Sequence, residues 1–80
     1  MTIKITKHAK TKINQRNIVL DDIRKVALNP DLIEIDKYDK SLTHFIGKIG
    51  GRFLRIIGRW ESKEDLLIIS AFFDRRLKRR

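Results

Sequence analysis

The single proline, Pro30, divides the chain into two halves with different periods. Before it, apolar residues recur at helical spacing. Ile5, Ala9 and Ile13 fall four apart and make one stripe of a helix over Lys7 to Arg16. Asn17 suits a left-handed C-cap, since its short polar side chain tolerates positive φ. Leu20, Ile23, Val26 and Ala27 make the apolar face of a second helix over Leu20 to Leu28. Asp21 and Asp22 lie in its first turn, where the helix dipole favours anions. Asn29-Pro30 closes it, because the residue before proline disfavours the helical conformation.

After Pro30 the period is two. Leu32 to Tyr38 reads as a strand with Ile33 and Ile35 on one face, followed by a turn over Asp39 to Leu42. Thr43 to Ile49 is a second strand, and Gly50-Gly51 supplies the positive-φ residues of a tight hairpin. Arg52 to Trp60 alternates throughout. Phe53, Arg55, Ile57 and Arg59 share one face. Arg52, Leu54, Ile56, Gly58 and Trp60 share the other, which reads as a core face anchored by Trp60. Asp65 to Asp74 is a fourth strand, rich in Leu, Ile and Phe. Thr2 to Thr6 alternates weakly and reads as a short leading strand or an extended arm. The order predicts an α+β domain over residues 1–80, with two N-terminal helices packed on one face of a four-stranded antiparallel sheet and a basic end over residues 75–80. With Leu54, Ile56 and Trp60 under the helices, Arg55, Arg59, His44 and Lys48 would share the open face.

Eighty residues make one domain with a small core. No cysteine is present, which excludes disulfides and thiolate metal sites. His8 and His44 lack metal-ligand spacing, so no metal and no cofactor is expected. Apolar runs of at most four residues, as in Leu66 to Ile69, are too short for a membrane span. The N-terminus lacks the apolar stretch of a signal peptide, and a cytoplasmic location is expected. Nineteen Lys and Arg against ten acids give a formal charge of +9. That excess points first to nucleic acid, then to an acidic protein, then to anionic membrane.

RNA cleavage requires a group to take the 2′-OH proton, cations for the charge developing on phosphorus, and a proton for the leaving 5′-oxygen. Histidine is the usual acid or base near neutral pH, and Arg and Lys supply the electrostatic part. His44, Arg55 and His8 are the candidates for catalysis. On the first helix His8, Lys12 and Arg16 recur every four residues and border the core stripe. Arg16, Lys12, Lys48, Arg52 and Arg59 are candidate phosphate contacts, with Arg75 and Arg76 in support. Two plainer readings compete: outward arginines are solvated charge on the wet side of a sheet, and His8 is a packing or capping residue.

Lys7-His8-Ala9 through Arg16-Asn17-Ile18, then Asp22-Ile23 to Val26 and Asn29-Pro30, resembles the opening of a family of small uncharacterised bacterial and archaeal domains. Gly51 to Ile57, followed by Leu67-Ile68-Ile69-Ser70-Ala71 and Asp74-Arg75-Arg76, is similar to the BrnT toxins and, more broadly, to the RelE/ParE superfamily. Asn17 and Val19 depart from the Gly and the Ser or Thr typical of that turn, and the basic end lacks the Tyr that some RelE-type toxins carry. The resemblance implies a helix–helix–sheet fold, cleavage of mRNA with or without the ribosome, and a cognate antitoxin as protein partner; a homodimer is open. The expected function is therefore the toxin of a type II toxin–antitoxin system, a metal-independent endoribonuclease. The alternatives are a nucleic-acid-binding module without catalysis, or a degenerate relative that binds only a protein.

Overall fold

The computed structural model describes residues 1–77. In chain order the elements are β1 (Thr2–Ile5), α1 (Lys7–Gln15), α2 (Leu20–Leu28), β2 (Leu32–Ile35), β3 (Leu42–Ile49), β4 (Arg52–Trp60) and β5 (Asp65–Phe73). The basic end is described to Leu77; residues 78–80 of that expectation lie outside the described residues.

The sheet corrects the four-stranded antiparallel expectation. It has five strands in the order β1-β5-β4-β3-β2 and is mixed. β2, β3, β4 and β5 form the antiparallel meander, but β1 lies parallel to β5, with Thr2 opposite Asp65 and Ile5 opposite Ile68. The physical reason is the edge of β5. Leu66 and Ile68 are fully buried, and a bare edge there would leave their neighbours' backbone groups unpaired. β1 pairs with that half of β5, and Thr6 N–H continues the pairing to Ile68 C=O at 3.1 Å. The two helices supply the crossover from β1 back to the sheet.

α1 begins on Thr6, whose hydroxyl oxygen accepts from Ala9 N–H at 3.0 Å. It ends in a Schellman motif: Asn17 takes φ 56°, Asn17 N–H bonds Asn14 C=O, and Ile18 N–H bonds Ile13 C=O. Ile13 and Ile18 are both buried and close the motif with an apolar contact. α2 has no side-chain cap at Val19. Both helices cover one face of the sheet. Ala9, Ile13, Ile23, Val26 and Ala27 pack on Phe45, Leu54, Ile56, Leu66, Ile68 and Ala71. Gly47 is required by that packing, because a Cβ there would stand 2.8 Å from Val26 Cγ2.

Two further expectations need correction. Trp60 does not anchor the core. It is 43% exposed and meets Phe45 edge-on at 6.2 Å between centroids, at the rim where helix cover ends. β2 stops at Ile35 and does not run to Tyr38. Asp36 ends it by accepting the N–H groups of Tyr38 and Asp39 at 3.0 and 2.9 Å, a turn that competes with the ladder.

Candidate active site

The face of the sheet away from the helices carries the candidate site. Register places His44 opposite Glu34 and Ile57, and Arg55 opposite Ile46 and Phe72. Paired residues share a face, so Arg55, His44, Glu34 and Phe72 all point away from the helix layer. Asp74 follows β5 and stays in step with it, its N–H bonding Phe53 C=O at 2.8 Å.

Arg55 is the hub. Its Nε donates to Asp74 Oδ2 at 2.8 Å, and its Nη1 donates to His44 Nδ1 at 2.7 Å and to Glu34 Oε1 at 3.2 Å. It is only 8% exposed, and Asp74 only 5%. A guanidinium buried this far requires compensating charge, and the carboxylates provide it. Nη2 makes no hydrogen bond to a described residue.

His44 lies between Arg55 and Asp36. Arginine can only donate, so Nδ1 must be an acceptor. Nε2 then carries the proton and donates to Asp36 Oδ1 at 2.6 Å. One tautomer and one ring orientation follow from these two partners. The Asp36 carboxyl is held below the usual carboxylate range by the Asp39 amide, by His44 and by the Tyr38 amide. For Asp74, burial pushes the carboxyl upward, but the Arg76 amide and the Arg55 and Arg76 side chains outweigh it, and the net displacement is downward.

These groups line a cavity of about 520 Å³ with Lys37, Tyr38, Phe72, Arg76 and Leu77. It is large enough for a nucleotide-sized ligand. Among the described residues no group of His and acids has the arrangement to hold a metal ion.

The other sequence candidates are dispersed. His8 is exposed on α1, on the opposite side of the sheet from His44, and the structure does not bring the two together. Lys12 lies on the same helix, half-buried. Arg59 and Lys48 share the face of Arg55 but do not line its cavity. Arg76 lines it, with its Nε 3.3 Å from Asp74 Oδ1. Arg16, Arg52 and Arg75 gather instead around Phe72 and Phe73 at the edge of β5.

Sequence reasoning missed Glu34, Asp36 and Asp74. A signal existed for the first two: they alternate with Ile33 and Ile35, so period two places both on the face of His44. Asp74 closes the strand expected over Asp65 to Asp74, and nothing in its spacing points to Arg55; in the structure it stands one residue past β5.

The fold and site define a class: a small α+β domain with a carboxylate–imidazole–guanidinium cluster on the uncovered face of its sheet. A family model described as a domain of unknown function, DUF4258, matches residues 5–73, and the chain belongs to that family. Comparison with curated proteins and with solved structures found no match. No helix of the described residues is long and apolar enough to cross a membrane.

Proposed function

We propose that the protein is a metal-independent endoribonuclease with His44 as its proton-transfer group. The observation that carries this reading is the Asp36–His44–Arg55 line, with contacts of 2.6 and 2.7 Å, opening on a cavity in a strongly basic chain. An RNA phosphate entering the cavity draws Arg55 Nη1 from the imidazole and frees Nδ1. Nδ1 takes the 2′-OH proton, and Asp36 stabilises the resulting imidazolium through Nε2–H, as a carboxylate does for a catalytic histidine. The O2′–P bond forms and the P–O5′ bond breaks. Arg55 stabilises the charge on the phosphorane oxygens. The leaving 5′-oxygen takes a proton from water in the open cavity, and the hydroxide so formed takes the proton held on His44 Nδ1, which restores the neutral imidazole. The products are a 2′,3′-cyclic phosphate and a 5′-hydroxyl.

The charge and the likeness to RelE and BrnT toxins extend the reading to a cytoplasmic toxin that acts on mRNA and is restrained by an antitoxin. Purified protein incubated with RNA, with and without ribosomes, tests it. Cleavage should fall by at least about 10²-fold in His44→Ala and be retained by His8→Ala, and expression should arrest growth. Intact RNA in both conditions overturns the proposal.

A second reading has its own support. Both nitrogens of His44 and three of the guanidinium contacts of Arg55 are already satisfied within the protein. The cluster then fixes the sheet, and the chain binds nucleic acid without cutting it. Binding that weakens steeply with salt while RNA stays intact is its signature.

A further inference from the structure

β1 covers β5 only as far as Ile68, so among the described residues β5 has no strand neighbour on that side from Ile69 to Phe73. The C-terminal end of α1 comes to this bare edge, and Arg16 Nη1 donates to Ala71 C=O at 2.9 Å. Phe72 and Phe73 point to opposite faces of the sheet, yet both line one cleft of about 300 Å³ that straddles the edge. The other described lining residues are Arg16, Arg52 and Arg75, and no described residue contributes a carboxylate. The Arg52 guanidinium carbon stands 3.6 Å from the centroid of the Phe73 ring. None of these three arginines forms a salt bridge with a described residue.

We propose that this cleft is a binding subsite for single-stranded nucleic acid, holding one phosphate on the arginines and one unstacked base on the aromatic floor. Three uncompensated guanidinium groups over apolar rings repel one another and favour an anion. Two are already fixed, one on a backbone carbonyl and one on a ring face, so little ordering is lost on binding. Arginine forks match phosphate oxygens. Phe72, or the outer face of the Arg52 plane, accepts a base only when it has left a duplex stack. Phe72 also lines the His44 cavity, so a bound strand continues from one site to the other. The proposal takes its ligand class from the ribonuclease reading but does not require cleavage.

The test is fluorescence anisotropy with a labelled 2′-O-methyl RNA oligonucleotide, which cannot be cut, beside single-stranded DNA and duplex arms. Arg52→Ala should weaken binding by about 10- to 100-fold. Arg52→Lys, which keeps the charge, should still lose affinity through the fork and the stack. Arg16→Ala combined with Arg75→Ala should flatten the salt dependence by about 0.7 per lost phosphate contact. Lys63→Ala in the distant β4–β5 loop should change affinity less than twofold. The duplex should bind more weakly than either single strand. Equal affinity of wild type and the arginine variants, or preference for the duplex, overturns the subsite even if RNA is cut. Loss of binding in these variants with a wild type that cuts nothing supports the subsite and sinks the ribonuclease reading.

Discussion

The arginines of this sheet fall into two regions built on opposite principles. Around Arg55, positive charge is buried and matched by Glu34 and Asp74, with His44 between Arg55 and Asp36. Around Arg52, positive charge is exposed, rests on an aromatic ring and meets no carboxylate of a described residue in its cleft. The first arrangement fixes atoms in place and suits chemistry, which needs one tautomer and one orientation. The second keeps its charge for a ligand. In a chain of formal charge +9, the region best organised for chemistry is the one most nearly neutralised, so net charge alone would not have located it.

The sharpest way to break this comparison is His44→Ala. If the Arg55 region is chemical, cleavage should fall by about 10²- to 10⁴-fold, the range for loss of a positioned proton-transfer group. Binding of uncleavable RNA should change far less. A fall in affinity that matches the fall in rate would show that His44 only binds, and the distinction between the regions would be lost.

Stability should separate the regions nearly as strongly. Asp74→Ala leaves Arg55 buried with less compensation and should cost about 3–5 kcal/mol, measured by denaturant unfolding. The acid limb adds a signed test. The folded Asp74 carboxyl titrates below its ordinary value. Its contribution is therefore complete above about pH 3.9 and lost as pH falls through the lower folded value. Asp36 and Asp39 are displaced the same way. Wild type should lose stability below about pH 4, and Asp74→Asn should show a shallower loss in that window. Parallel profiles would mean that the pair adds no linkage.

A change outside both regions serves as reference. Gly47→Ala forces a methyl against Val26 and should destabilise by about 1–3 kcal/mol through overpacking. The anisotropy of the RNA complex should not change. An altered affinity would mean that the edge cleft depends on how the helices seat.

Much of the frame was legible in the sequence. β4 alternates without interruption after Gly50-Gly51, and its bounds follow from that. Both helices follow from apolar spacing, Asn17 and Pro30. β1 was obscure because its support is non-local: four weakly alternating residues have meaning only beside Asp65 to Ile68. Trp60 was misread because alternation gives a face but not how far the helices extend over it. The Arg55 cluster was half visible. Alternation put Arg55 and His44 on one face, but the acids that organise them come from β2 and from the residue after β5. Asp36 itself lies just past β2, in the turn it caps, and the approach of all three acids depends on a register that short strands do not reveal.

The smallest effect concerns the stability of the Arg52 region itself. Arg52 is exposed, and its stabilising contact is the stack on Phe73. An exposed cation–π pair contributes about 0.5–1 kcal/mol. Three guanidinium groups sharing one cleft work against that gain, since removing Arg52 also removes its repulsion with Arg16 and Arg75. Arg52→Ala should therefore alter unfolding free energy by less than about 1 kcal/mol, while binding of single strands drops sharply. Raised ionic strength should bring the difference up towards the full worth of the stack, because screening removes the repulsion that offsets it. A loss as large as that of Asp74→Ala would place Arg52 among the structural charges, and the edge of β5 would then have no residue kept free for a ligand.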